Sequence, residues 1–217
     1  MKNEIPFVIL IGTQSSGSSA IAGVTYHVGV WLGDDLGGRY GSDPDNQCGF
    51  EDKNFGRALR HIPVLSDRLR QPRILEAKLR QRINELTREA RQRGQIPGAK
   101  RIRFSALGDV FMRILGDRLR VIDCHRPLAD SIASLQRLNP QKTNTAAVQQ
   151  WIWDSKQRFL AAVPAEQQLR VEYYNLLKNP LAEAQRIAAW LGLEPTQEQI
   201  ERAVRIVHPE MQHINKQ

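Results

Sequence analysis

The sequence predicts an α/β protein, a parallel sheet of about four to five strands with helices on both faces. Three observations carry this. The run FVILI at 7–11 is wholly apolar, as expected of a strand covered on both sides, which has no polar face to alternate with. Short strand-like runs then alternate with helical patterns along the chain, the arrangement of crossover-connected parallel strands. Finally, the first strand gives way at Gly12 to a loop of small residues that opens directly into a helix.

That loop is the most informative stretch. GTQSSGSS at 12–19 fits G-x-x-x-x-G-[KST]-[ST] through Gly12, Gly17, Ser18 and Ser19. Strand, glycine-rich loop and helix N-terminus form a phosphate- or sulfate-binding device, because loop amides and the helix dipole both favour negative charge. Ser18 stands where a nucleoside-triphosphate loop of this type has its lysine. Behind the loop, Ile21, Val24 and Val28 recur at helical spacing.

Residues 31–55 follow as a long polar stretch with glycines at 33, 37, 38, 41 and 49, ending in GFEDKNF. A connection of this length within a compact domain points to function. From 54 to 93 the pattern is helical, with Pro72 dividing two helices. In the second, Leu75, Leu79, Ile83, Leu86 and Ala90 form one apolar stripe. Its other side carries Arg73, Lys78, Arg80, Arg82, Arg88, Arg91 and Arg93, read as a solvated face with i,i+4 pairs Glu76–Arg80 and Glu89–Arg93. Acidic residues interrupt this run and no aromatic side chains are interleaved for base stacking, so nucleic acid is not the expected partner.

Pro97-Gly98 reads as the end of that section, with Lys100 in the loop before a short strand at 101–104. A helix follows through Val110, Met112, Ile114 and Leu115, stopped by Gly116. The next strand, 119–123, runs through Cys124, His125 and Arg126 to Pro127, well suited to a helix start. In that helix Leu128, Ile132 and Leu135 are expected to face the core and Asp130 and Ser134 another side. A helix over 144–163, in which Trp151 and Trp153 pack, precedes a strand at 169–173. A helix from Pro180 to a C-terminal Gly192 and a capping box Thr196-x-x-Gln199 complete the pattern.

The 217 residues, 41% of them hydrophobic, suit a single domain spanning 1–217 with a sizeable core. No apolar run is long enough to cross a bilayer, and the first residues lack a basic region ahead of an apolar stretch. The expectation is a soluble, cytoplasmic protein that does not engage membranes. Two cysteines, Cys48 and Cys124, make no disulfide framework and show no metal spacing. A formal net charge of +8 favours anionic partners without naming one.

Taken together, LIGTQSSGSSAIAGVTYHVGVWLG at the first strand and helix, GFEDKNF at 49–55, VIDCHRPLADSIASL at 121–135 and VEYYNLLKNPLAEAQRIAAWLGL at 171–193 resemble the sulfotransferase superfamily, in particular its bacterial and phage-like branch. The resemblance implies a P-loop α/β domain and 3′-phosphoadenosine 5′-phosphosulfate (PAPS) as co-substrate, with no metal. It implies that Gln14, Ser15, Ser16, Gly17, Ser18 and Ser19 line the 5′-phosphosulfate site. Arg126 and Ser134, eight residues apart, match the 3′-phosphate motif; one offers a planar fork and the other a hydroxyl roughly two turns along the helix. Tyr173, Leu176, Pro180 and Gly192 match the family's ending, with Tyr174 in place of its usual Glu.

The sequence departs from the family at one position that matters chemically. An Arg or Lys normally stands two residues before the second loop glycine and stabilises the departing oxygen; here that residue is Ser15. Losing such a charge costs several kcal/mol of transition-state stabilisation, by analogy with a lost oxyanion donor, unless another cation takes its place. Lys100 is the favoured replacement, with His125, Arg103, Lys53 and Arg39 as alternatives. Glu51 is the candidate base that takes the acceptor's proton, with His27 and His61 more distant options; His208 and His213 are too sparse for a metal site. Four readings stand: a sulfotransferase acting on a small-molecule or glycan acceptor, a nucleotide-binding protein of the same fold without turnover, a P-loop kinase or NTPase, and, with least weight, a binder of polyanions or nucleic acid through the basic run at 73–93. The missing loop lysine and the lack of a clear Mg²⁺-binding Asp after an apolar strand count against the third.

Overall fold

A computed structural model describes residues 5–37, 43–45, 49–59, 72–138, 140–141 and 145–207. The elements in chain order are β1 (Phe7–Gly12), α1 (Ser18–His27), β2 (Val30–Trp31), β3 (Leu36–Gly37), β4 (Glu51–Asp52), α2 (Lys53–Ala58), α3 (Pro72–Gln92), β5 (Ile96–Lys100), α4 (Gly108–Leu115), β6 (Leu119–His125), α5 (Leu128–Leu138), α6 (Thr145–Ala162), β7 (Gln168–Glu172), α7 (Tyr173–Lys178), α8 (Pro180–Leu191) and α9 (Gln197–Arg205). Five strands form one sheet in the order β2-β5-β1-β6-β7, every pairing parallel. β3 and β4 make a separate antiparallel pair.

β1 alternates between two cores. Val8 and Leu10 pack with α1, α8 and α9 on one side. Phe7, Ile9 and Ile11 pack with α3, α4 and α6 on the other. All six β1 residues are buried, which is why the run carries no polar alternation. The predicted stripe of α3, Leu75 to Ala90, is buried against the second core.

Several expectations are corrected. The strand next to β1 is Ile96–Lys100, and the residues expected to form it, 101–104, enter a 3₁₀ turn over Ile102–Leu107 instead. Pro97 and Gly98, read as a terminator, lie inside the strand. Val8 pairs with Gly98 and Leu10 with Lys100. A Cβ at Gly98 would lie 2.7 Å from Val30 Cγ1 and 3.0 Å from the Val8 carbonyl, so glycine is what lets the neighbouring strands close. The fifth strand, β2, falls at the start of the stretch read as a long loop. It is only two residues long, below what periodicity can reveal.

On α3, Arg82 is buried rather than solvated. It pairs with Asp52 (2.8 Å), Glu89 (2.9 Å) and Glu85 (3.1 Å). Glu89 thereby spends its carboxylate on Arg82 and Trp31, and Arg93 turns to the Glu89 carbonyl and Asp34. The expected Glu89–Arg93 pair is replaced, whereas Glu76–Arg80 is present at 3.1 Å. On α5 the buried positions are Ser131, Ser134 and Leu135, with Leu128 and Ile132 only half-buried. The hydroxyls face inward because α5 packs beside the polar loop after β1.

Candidate active site

β1 is the central strand, and its sheet neighbours extend to opposite sides. β5 lies on one flank and β6 on the other, which makes the carboxyl end of β1 a topological switch point where such sheets bind ligands. Cys124 pairs with Gly12 and Lys100 with Leu10. Both flanking strands therefore deliver their last residues beside the 13–17 loop. Lys100 arrives from β5 and Arg126 from just beyond β6.

The loop backbone turns left-handed at Ser15 (φ 58°) and Gly17 (φ 78°). Such turns are the geometry in which successive amides converge into an anion-binding nest. Gly17 also serves as the N-cap of α1, and a Cβ there would overlap the Tyr173 ring. Only glycine satisfies both demands. The Ser16 hydroxyl is fully buried and has no hydrogen-bond partner among the described residues.

Side chains from three elements fix the loop. Gln149 on α6 brackets the Gln14 peptide, accepting from its N–H at 3.1 Å and donating to its carbonyl at 2.7 Å. Thr13 donates to the Ser131 hydroxyl on α5 at 3.2 Å. Arg126, buried to 5% exposure, donates from Nη1 to the Ser15 carbonyl at 2.8 Å. Its Nε reaches the Tyr174 hydroxyl at 3.4 Å, and Tyr174 in turn donates to Asp130 at 2.8 Å. The guanidinium also lies 5.2 Å and 5.5 Å from the Tyr173 and Tyr174 ring centres, within cation–π range. Burial, foremost, and the bond to Asp130 raise the Tyr174 hydroxyl above its ordinary pKa, so it stays protonated at neutral pH. Tyr174, which breaks the sequence pattern at 173–174, thus helps to hold Arg126 against the loop.

Lys100 is 4% exposed. Its ammonium reaches Ser19 Oγ at 3.3 Å, the Gly49 carbonyl at 2.9 Å and Glu51 Oε1 at 3.2 Å, using all three donors of a lysine. Glu51 stands on β4 between two cations, with Arg101 Nη1 3.6 Å from Oε2. Its neighbour Asp52 caps α2 through Phe55 N at 2.9 Å and takes Arg82, so the two adjacent acids have separate partners. Ser18 is buried and Ser19 half-buried at the first turn of α1.

The other named cations lie elsewhere. Lys53 pairs with Asp35 at 2.6 Å, and Arg103 Nη1 donates to the Leu59 carbonyl at 3.4 Å. His125 sits 3.7 Å from Asp123 and 3.8 Å from Glu172, with Trp153 packed against its ring. His27 faces the Pro44 carbonyl at 3.1 Å. Arg39, Cys48, His61, His208 and His213 fall outside the described residues. Ser134 is buried on α5, 3% exposed. Among the described residues no three His, Cys, Asp or Glu side chains cluster as metal ligands, and no helix is long and apolar enough to cross a membrane.

Chemically, this arrangement is a backbone nest with hydroxyls, one cation on each flank, and a carboxylate coupled to one of those cations. A sequence profile described as the sulfotransferase family matches residues 35–198. The chain belongs to the sulfotransferase family. The matched span begins beyond the loop, so what the loop does rests on its own geometry.

Among solved structures, the chain is similar to the sulfotransferase domain of the Synechococcus PCC 7002 olefin synthase. The TM-score is 0.56 at 18% identity, over 97% of this chain and 84% of that one. It is also similar to sulfotransferase STF9 from Mycobacterium avium, with a TM-score of 0.53 at 14% identity over 94% and 67% of the two chains. A mouse sulfotransferase solved in complex with PAP matches with a TM-score of 0.52 at 12% identity, over 94% of this chain and 64% of that one. At these identities the likeness is one of fold. No curated protein sequence matches the chain. Residues of the site that sequence reasoning missed are Gln149, Ser131 and Arg101. Gln149 belongs to no local motif; Ser131 lies within the 121–135 stretch and Arg101 follows Lys100, but their partners Thr13 and Glu51 are distant in sequence.

Proposed function

We propose that the chain is a PAPS-dependent sulfotransferase that acts on a hydroxyl or amine of a small-molecule or glycan acceptor. The observation that supports this reading most directly is the loop at 13–17 flanked by Lys100 and Arg126. The donor set suits a phosphosulfate: left-handed turns at Ser15 and Gly17, the buried and unpartnered Ser16 hydroxyl, and the open first turn of α1. Gln14 to Ser19 would hold the 5′ group, and Arg126 with Ser134 the 3′-phosphate.

The co-substrate supplies an activated sulfuryl group, whose bond from sulfur to the bridging oxygen breaks as the bond from sulfur to the acceptor forms. Lys100 takes the role that a loop cation would otherwise fill at position 15, offsetting negative charge that grows on the departing phosphate. Its ammonium lies 3.3 Å from Ser19 Oγ, within reach of an anion seated on the first turn of α1. Glu51 accepts the acceptor's proton. In the structure Lys100 is paired with Glu51 Oε1 at 3.2 Å, so drawing Lys100 toward an anion frees that oxygen to take a proton while Arg101 stays beside Oε2.

The test is transfer of labelled sulfate from PAPS to a panel of phenols, sugars and amines. Labelled product is expected, and Lys100→Ala should lower its rate by roughly 10²–10³-fold, the usual effect of removing one transition-state donor, while leaving bisphosphate binding in place. The serine at position 15 and the neutralised Lys100 favour one other reading, a protein that binds nucleotide without turnover. Binding without transfer to any acceptor is the outcome that selects it.

A further inference from the structure

The arginines of α3 are not alike. Arg80 pairs with Glu76, Arg82 with Asp52, Glu85 and Glu89, and Arg93 with Asp34. Arg88 and Arg91 are exposed and make no ion pair or hydrogen bond through their side chains among the described residues. Both border a cleft of about 390 Å³, together with Asn84, Thr87, Gln92 and Arg118. Arg118 comes from the turn Gly116–Arg118 that leads into β6, where its Nε donates to the Ile5 carbonyl at 3.1 Å. The cleft therefore opens at the amino ends of β1 and β6, the opposite pole of the sheet from Lys100 and Arg126.

Its lining is selective in charge. Three guanidinium groups and two carboxamides face it, and none of its six residues carries a carboxylate. Thr87 adds no donor, because its hydroxyl donates to the Ile83 carbonyl at 2.7 Å. Asn84, Arg88, Arg91 and Gln92 recur at the three- and four-residue spacing that stacks side chains along one strip of a helix. Arg88 and Arg91 can thus fork onto one oxyanion or onto two joined ones, the geometry in which guanidinium groups bind phosphate and sulfate best. The volume falls at the low end of small-molecule sites.

We infer that this cleft is a second anion site, for a small molecule carrying three or more phosphate or sulfate groups, separate from the proposed donor site. The inference does not depend on the transfer reaction. It is tested by calorimetric titration of the whole chain with two probes, inorganic tripolyphosphate and a trisulfated disaccharide. Each is run with and without saturating 3′,5′-adenosine bisphosphate to occupy the other pole.

At least one probe should bind at a 1:1 ratio with the bisphosphate present, and whichever binds tighter identifies phosphate or sulfate as the ligand chemistry. Arg88→Ala/Arg91→Ala should weaken that binding about tenfold or more, since each lost guanidinium removes charge-assisted bonds. Arg73→Ala/Lys78→Ala removes the same charge from exposed positions of the same helix outside the cleft and should change it less than threefold. Both pairs are exposed, and thermal unfolding verifies that each variant is folded. Equal weakening by the two double variants, competition by the bisphosphate, or no binding of either probe would overturn the inference.

Discussion

At position 15 a serine occupies the place where the family's loop cation is expected, and a cation stands on each flank of the loop. Arg126 bonds the Ser15 carbonyl itself, and Lys100 reaches the helix end four residues on. The sequence named both side chains, Arg126 from a strand end followed by a helix start and Lys100 as the favoured replacement for the missing loop cation. It did not reveal what holds them. Tyr174, noted only as a departure from the family's ending, steadies Arg126, and Arg101 shares Glu51 with Lys100. Those partners meet only after folding. Cys124 illustrates how environment governs a single residue. Complete burial pushes its thiol up to about 12, so little thiolate forms at neutral pH. Iodoacetamide at pH 7.5 should leave Cys124 unmodified in the folded protein and label it once urea unfolds the chain, as read by peptide mass spectrometry. Rapid labelling of the native protein would contradict the burial.

At the scale of elements, the strands written in apolar residues were legible and the strand written in IPGAK was not. Proline and glycine punctuate most sequences, but in β5 the glycine admits Val30 and the Val8 carbonyl, and the strand's partners supply the rest. This shift of about five residues carries Lys100 from a loop to the last position of a buried strand, where its direction is fixed. The second helical pattern was legible as a stripe, yet Arg82 on it was misassigned, because a basic residue beside an apolar stripe looks solvated until its acids are known. Asp52 is the connecting point: it caps α2 and receives Arg82 in the interior. Removing it deletes a cap and leaves a buried guanidinium short of an anion. Asp52→Ala should cost about 3–5 kcal/mol in urea unfolding, against less than about 0.5 kcal/mol for the exposed Arg73→Ala. Equal small effects would show that Glu85 and Glu89 alone satisfy Arg82.

For the molecule as a whole, alternation of strands and helices sufficed to predict a parallel sheet covered on both faces. In the structure Gly12, Lys100 and Arg126 lie at the strand ends around β1. An acid in the middle of LRVIDCH carried a further signal, because a buried strand aspartate requires a cation. The cation is Lys156 on α6, fully buried and 2.7 Å from Asp123, with Arg170 at 3.2 Å. Burial pushes the Asp123 carboxyl up, and His125 and Lys156 more than offset it, leaving the group below the usual carboxylate range. A depressed folded-state pKa stabilises the fold at pH values above the unfolded one. That contribution is lost as pH falls through the folded value, here from about pH 4–5 downward. Lys156→Met should cost about 3–5 kcal/mol at pH 7, because it strands the buried carboxylate, and proportionally less in acid. Asp123→Asn/Lys156→Met should restore most of the stability. A loss that does not change between pH 7 and pH 3 would contradict the pairing.

The central claim, that the 13–17 loop and its flanking cations form a site for a 3′-phosphoadenosine donor, meets its most direct test in calorimetric titration with 3′,5′-adenosine bisphosphate and, separately, with ATP–Mg. The bisphosphate should bind more tightly than ATP–Mg, and Arg126→Ala should weaken it about tenfold or more, as expected for loss of a charge-assisted fork. Tighter binding of ATP–Mg, or bisphosphate binding indifferent to Arg126, would contradict the account.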